Sequence, residues 1–426
     1  MAPDKPTRRP TAFTRLAKNL SRTRTLARAI AHQAPRRIWT RIYARPIFYS
    51  LLFAGILVLA FTAWPFVKDH LEAVSVLQQV SGKPVPALVA RIVSHPIHTQ
   101  DLTLNVESGP VRARLYLPND LPNAPALVVF HGVHYLGIDE PRLIAFASAM
   151  ASCGLRVLTP ELPGIKDYHV DSTSTKTIGE SAHWFAQRTG SPVGVMGLSF
   201  SGGLALVAAA DPLFHPDFKF VFAVGSQDSM GRVASYYITN RDPRPNGSIE
   251  LLPTHEYGPL VLEYQYLEDF VPAQDVAAIR AVLRAHLYED KAAEAAATAR
   301  LTEPQKLEAL ELMDATSPRT RALIAADNAK HIQQLAGISP DSHLKTFTTP
   351  VYLLHGQADN IIPSAETLWM ASQLPSESLQ AVLVSPVLSH IDMEAKPNLW
   401  DEWRLIHLFA LIMHATQTPT GRTPWL

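Results

Sequence analysis

From about residue 126 the chain repeats one pattern: a short, nearly uninterrupted apolar run, then a segment whose apolar residues fall at helical spacing. ALVVFHG (126–132), LRVLTPEL, PVGVMG, FKFVFAVGS, TPVYLLHG (349–356) and LQAVLVS are the runs. Each reads as a strand buried on both faces. Between and after them stand helical segments: PRLIAFASAMASCG (141–154), the region of TIGESAHWFAQRTG, GLALVAAA, SAETLWMASQL and LWDEWRLIHLFALIMHA. Strands buried on both faces need helices on both faces, so the alternation predicts an α/β domain with a mostly parallel central sheet. Upstream, IVSHPIHTQ, LTLNVES and VRARLYLP read as three further strands. Residues 229–345 break the rhythm. They hold no good strand and several helical patterns, among them AQDVAAIRAVLRAHLYEDKAAEAAATARL. That is too long for a loop, and it reads as a helical lid over the carboxyl edge of the sheet.

A different constraint acts on the N-terminus. Residues 46–67, PIFYSLLFAGILVLAFTAWPFV, carry no charged side chain, and about 20 apolar residues in a helix match the ~30 Å hydrocarbon core of a bilayer. Tyr49 and Trp64 stand near the two ends of the run, where amphipathic rings favour the interface. The net charge of the chain is zero, but the first 45 residues hold 12 of its 38 basic and one of its 38 acidic residues. Such a head predicts a single-pass signal anchor with the N-terminus in the cytoplasm and the remaining domain on the far, extracytoplasmic side. The cations are then suited to anionic lipid heads rather than to nucleic acid. A cleaved signal peptide or a transit peptide would fit the apolar run less well. The segments expected are therefore a basic head (1–45), a spanning helix (46–67), a juxtamembrane linker (68–91) with a short helix ending near Gly82, and a catalytic domain over 92–426 with its lid at about 229–345. A single cysteine, Cys153, leaves no intramolecular disulfide and no four-cysteine metal site. Its apolar surroundings in sequence suggest a small buried hydrophobe.

The chemistry gathers around VGVMGLSFSGG (193–203). A strand, PVGVMG, meets a helix, GGLALVAAA, across Gly197-Leu198-Ser199-Phe200-Ser201. A turn this tight holds its apex residue in strained backbone and needs small residues on either side. Ser199 at the apex would be exposed at a helix N-terminus, where a backbone N–H and the helix dipole can stabilise an oxyanion. Ser201 can also be framed, as Ser199-x-Ser201-x-Gly203, but without a leading glycine and with its apex inside the helix. A nucleophilic serine needs a base and an orienting acid. Asp359 follows the strand TPVYLLHG in QADNIIP, and His390 follows the last strand in VLVSPVLSHIDM. Ser199, Asp359, His390 is the chain order of an elbow-type triad. Asp228, in AVGSQDS after the preceding strand, is a rival for the acid.

FHG, GLSFSGG, HGQADNIIP and SHIDM together make the chain resemble the α/β-hydrolase superfamily over roughly residues 95–415, with similarity to its carboxylesterase-like and dienelactone-hydrolase-like members. It departs from the superfamily's usual pentapeptide in having Ser201 where glycine is common. Dienelactone hydrolases proper use cysteine, and dehalogenase and epoxide-hydrolase relatives need aspartate at position 199. The resemblance implies an oxyanion hole built from the backbone N–H groups of Phe200 and Val133. His131 would then be a structural ring bracing the loop, and His134 and Tyr135 would line the pocket. It implies acyl transfer to Ser199 with no metal or organic cofactor, and a small-molecule ester as substrate, which the lid's apolar residues suggest to be apolar. Tyr236, Tyr237, Tyr257, Tyr264, Tyr266 and Phe270 of the lid are candidates for the pocket wall or for the lid's own core. A peptidase, thioesterase or acyltransferase would use the same triad, and a silent membrane-tethered binding protein would lack it in function.

Overall fold

A computed structural model describes residues 48–388 and 398–423. The chain separates into two compact units, Met1–Pro65 and Phe66–Leu426. The described part of the first belongs to helix α1, Phe48–Val80, which is long and apolar enough to cross a membrane. Its side chains from Phe48 to Phe61 are exposed.

In the second unit α1 runs on to Val80, and the short helix α2, Ala87–Val93, follows a turn at Ser81-Gly82. The stretch expected to act as a linker is therefore largely helical and packed. Ala73, Val76 and Val93 are core residues, and Asp69 and Glu72 are buried. The eight-stranded sheet contains β1 (Ile97–Val106), β2 (Gly109–Pro118), β3 (Ala126–Phe130), β4 (Arg156–Pro160), β5 (Val193–Leu198), β6 (Phe218–Val224), β9 (Val351–Gly356) and β10 (Leu379–Ser385). Their order is β1-β2-β4-β3-β5-β6-β9-β10. β2 runs against both its neighbours, and every pair from β4 to β10 is parallel. Two strands, not three, precede β3. Ile92 and Val93 of IVSHPIHTQ end α2, and Ile97–Gln100 join LTLNV in one strand.

Successive residues of a strand point to opposite faces, and β3 shows where each face goes. Val128 and Phe130 pack in a cluster with α5 (Ser172–Thr189) and α6 (Phe200–Ala210), while Leu127 and Val129 pack with α3 (Pro141–Ser152) and α15 (Leu399–Gln417). α4 (Pro163–Lys166) is a single turn. Local chemistry sets the helix ends. Asp171 caps α5 by accepting the N–H groups of Thr173 and Ser174, and Gly190 closes it at φ 72°. Cys153 lies buried after α3, with its thiol pushed up to about 11 by burial, so it is the small hydrophobe the sequence suggested.

Between β6 and β9 lie α7 (Met230–Thr239), α8 (Tyr257–Gln265), α9 (Val276–Leu287), α10 (Lys291–Thr298), α11 (Glu303–Leu312), α12 (Pro318–Lys330) and α13 (Ile332–Gly337). A small antiparallel hairpin, β7 (Arg241–Pro243) with β8 (Ile249–Leu251), interrupts them, so the insertion is not wholly helical. α14 (Ala365–Gln373) returns the chain from β9 to β10.

Candidate active site

Three strands carry the site's frame. Leu198 of β5 pairs with Val224 of β6, and Val224 pairs with Leu354 of β9. Ser199 lies one residue beyond that row and Asp359 five beyond it, both at the carboxyl edge. Ser199 holds φ 55° and ψ −135° and is the N-cap of α6. A non-glycine residue in such backbone costs about 1–3 kcal/mol and persists only where its surroundings impose it. Those surroundings are explicit. The Ser199 N–H donates to Val224 O at 2.8 Å, and the Ser226 hydroxyl donates to Ser199 O at 2.8 Å. A Cβ on Gly197 would lie 2.4 Å from Ser201 O and 2.5 Å from Gly202 Cα, and one on Gly202 would lie 1.9 Å from Ser226 Oγ. Only glycine lets strand and helix close on one another here.

Ser201 is fully buried, and its hydroxyl donates to His131 O at 2.6 Å. Its side chain is turned toward the loop after β3, away from solvent. Where the superfamily's usual glycine would leave space, this chain ties the helix to that loop. His131 is itself enclosed. Nδ1–H donates to Gly132 O at 2.8 Å, Nε2 accepts the Leu162 N–H at 3.0 Å, and burial pushes its pKa down to about 4. With both ring nitrogens engaged in this way, the ring braces the loop. A Cβ on Gly132 would stand 3.1 Å from Ser199 Cβ, so the loop carrying Val133 runs directly against the apex serine. Phe200 is the first residue of α6, and its N–H has no acceptor within the helix.

Asp359 sits in the turn after β9. Its Oδ1 accepts the N–H groups of Ile361 and Ile362, both at 3.0 Å, and the residue is 1% exposed. His355, fully buried in β9, lies 3.4 Å from Asp359 Oδ2 and bridges Thr367 Oγ1 (2.7 Å) and Ile362 O (2.8 Å). It clamps the turn that presents the carboxylate. The rival, Asp228, points elsewhere. Its Oδ2 accepts from Arg232 at 2.7 Å and Gln373 at 2.9 Å, and burial, reinforced by the Glu366 charge, lifts its pKa to about 7. Asp228 thus belongs to an internal ion network. His390 lies outside the described residues, five positions beyond Ser385, whose register partner is Gly356 at the end of β9.

The insertion covers this edge. Tyr257 of α8 donates its hydroxyl to Val133 O at 2.9 Å, and Tyr168, in the loop after β4, donates to Leu287 O of α9 at 2.6 Å. His255 N–H and the Tyr236 hydroxyl both donate to Asn360 O, at 2.9 and 3.2 Å. Lid residues thus meet loops that follow β3, β4 and β9. Of the lid aromatics named from sequence, Tyr236, Tyr237, Tyr264 and Phe270 are buried core, while Tyr257 and Tyr266 are half-buried. His134 stacks on Tyr135 at 4.7 Å, and Tyr135 on Tyr288 of the lid at 5.1 Å. The sequence reading missed Tyr168, which holds φ 61° and packs edge-on to Tyr257 at 6.0 Å. No motif marks it. Asp269, Asp327 and His331 of the lid bring possible metal-ligand atoms within 4.8 Å of one another, but Asp269 is already paired with Lys330 and His331.

No family model and no curated protein matches the chain. Among solved structures it is similar to an esterase of Pyrobaculum calidifontis, with 18% identity and a TM-score of 0.41, covering 82% of this chain and 92% of that one. It is similar also to a bacterial membrane phospholipase A, with 14% identity and a TM-score of 0.39 over 86% and 98% of the two chains. An acylaminoacyl peptidase of Pyrococcus horikoshii shares 12% identity at a TM-score of 0.44, covering 81% of this chain and 45% of the peptidase. The molecule's own geometry is the firmer ground. With β2 alone reversed in a sheet wound on both faces by helices, and a strained serine on the turn that leaves β5, the chain has the α/β-hydrolase fold that its sequence resembles.

Proposed function

We propose that this protein is a membrane-anchored serine hydrolase that cleaves carboxylic esters through an acyl-enzyme. The observation that carries the reading is Ser199 itself: the apex of the turn between β5 and α6, at φ 55°, with glycines on both sides and the Gly132-Val133 loop against it. Strain of this kind is kept where it positions a reacting atom. In the proposed reaction Ser199 Oγ attacks the ester carbonyl carbon while His390 takes its proton. The C–O bond to the alcohol then breaks, and His390 protonates the departing alkoxide. Water, deprotonated by His390, attacks the acyl carbon and releases the acid and Ser199. Asp359 orients His390 and stabilises its imidazolium. The N–H groups of Phe200 and Val133 receive the oxyanion. The apolar helix α1 supports anchorage in a membrane through residues 46–67. The aromatic surroundings of Val133 support an apolar ester as substrate.

Fluorophosphonate treatment of the full chain, followed by peptide mapping, tests the nucleophile. Label is expected on Ser199, and its absence from a folded wild-type protein would sink the proposal. Ser201→Ala should still be labelled. Because it leaves the buried His131 carbonyl without its donor, it should lose about 1–3 kcal/mol of stability, read by denaturant unfolding. A second expectation concerns Tyr257. Burial raises its pKa well above that of a free phenol, so it remains a donor to Val133 O at all ordinary pH. Tyr257→Phe removes the bond that steadies the proposed oxyanion loop. It is expected to lower kcat about fivefold, the equivalent of one ordinary hydrogen bond of ~1 kcal/mol, with KM nearly unchanged. A rise in KM at constant kcat would instead make Tyr257 a binding-pocket residue.

A further inference from the structure

We propose that the first turns of α15 form a second membrane contact, an interfacial patch of Leu399, Trp400 and Trp403 seated in the headgroup region of a lipid bilayer. The proposal rests on the reading of residues 46–67 as a membrane-spanning helix. Leu399 is 84% exposed, Trp400 67% and Trp403 44%. The described tryptophans elsewhere in the domain, Trp184 and Trp369, are half-buried. Three large apolar side chains within five positions of one helix end are unusual on a water-facing surface, and tryptophan in particular favours the membrane interface.

Their neighbours place the patch beside Phe66 and His70, at the C-terminal end of the uncharged run. Trp403 stacks on His70 at 5.2 Å, and His407 Nδ1 lies 3.1 Å from His70 Nε2. His70 in turn bonds through Nδ1 to Phe66 O at 2.8 Å, and Phe66 lies 6.5 Å from the His407 ring. Phe66 and Val67 are the last residues of the uncharged run. Farther along α15, His414 pairs with Asp69 at 2.9 Å, and Gln417 donates to Asp69 and Glu72, each at 3.3 Å. From Trp403 to Gln417 α15 advances about 21 Å, yet those contacts fall on a stretch of α1, from Phe66 to Glu72, only about 9 Å long. The two helices therefore cross steeply. The end of α15 that projects past the crossing carries Leu399 and Trp400, and Trp403 stands at the crossing's edge. Its charged neighbours are Asp401, Glu402 and Arg404, with no cationic excess, so the patch fits the apolar–polar boundary of a zwitterionic bilayer rather than an anionic surface.

Site-directed spin labelling of the full chain in phosphatidylcholine vesicles tests this. Cys153, the one cysteine, is buried, so a nitroxide can be placed at Trp400→Cys. Leu310→Cys on the lid is the water-exposed reference and Leu57→Cys in α1 the membrane reference; both positions are exposed on the protein. At position 400, collisions with oxygen are expected to exceed those with a water-soluble nickel chelate several-fold, with the reverse at position 310. Replacing Trp403 by Ser should shift the position 400 label toward water. A label at 400 that behaves like that at 310, or that neither reagent reaches, overturns the patch while position 57 still reports hydrocarbon. If position 57 also reports water, the anchor reading has failed and the patch falls with it.

Discussion

Ser199→Ala is expected to take no fluorophosphonate label and to lower kcat for an activated ester by a factor of roughly 10⁵ to 10⁶, the range seen when the nucleophile of an intact triad is removed. The residual rate would come from binding and the oxyanion donors alone. The folded state should survive, because alanine fits wherever serine does. Ser199→Gly makes a sharper test. It should be equally inactive, yet more stable than Ser199→Ala by about 1 kcal/mol, because glycine occupies φ 55° without the Cβ penalty. A position that is strained for catalysis shows this opposition of activity and stability. A turn that is strained only by accident would show a change in stability with no loss of labelling. The two variants can be compared by urea unfolding and by intact mass after labelling. Retention of label in either one would move the nucleophile away from the elbow.

Gly197→Ala should be among the damaging single methyl additions in the domain. The new Cβ would meet backbone, Ser201 O at 2.4 Å and Gly202 Cα at 2.5 Å, and backbone at the start of a packed helix cannot rotate aside as a side chain can. Strand β5 and helix α6 would have to separate. We expect a loss of about 3 kcal/mol or more, a fall in melting temperature of roughly 4 °C or more for a unit of this size, and labelling of Ser199 slowed at least a hundredfold, because the apex moves relative to Val133. Gly231→Ala is the control. Its site in α7 has only Ser229 Oγ within reach, at 4.0 Å, so alanine should be neutral or stabilising by up to about 1 kcal/mol. Scanning calorimetry of both variants checks the contrast. Equal melting temperatures would mean that the turn is looser than the geometry requires.

Some of this was legible before any coordinates, and the reasons differ from residue to residue. The apolar runs from Ala126 to Ser385 and the helical spacing between them follow from burial on two faces, a local property of the chain, and the sheet follows them closely. Ser199 was legible because a glycine, a serine and two more glycines at this spacing suit few structures other than a strained turn. The segment between β6 and β9 was expected to be free of strands, and it holds the hairpin β7–β8, because three-residue strands leave no period to detect. Lys68, Asp69, His70 and Glu72 look in sequence like a chain entering water. Asp69, His70 and Glu72 are instead buried on the continuation of α1, with partners such as His407, His414 and Gln417 more than 300 residues away, and Lys68 is half-buried against Glu72.

The sequence by itself determined the fold class, the apolar helix and the apex serine, because each depends on neighbours within a few residues. Only the tertiary structure showed which partners Ser201, Asp228 and His131 take up. Ser201 is withdrawn from solvent by His131 O, 70 positions away. Asp228 is taken up by Arg232 and Gln373 rather than left at the edge. His131 is enclosed by the Leu162 N–H. A polar side chain's role is set by which donor or acceptor fills its last hydrogen-bond site, and in a buried site that partner comes from a distant strand or loop that no local pattern specifies.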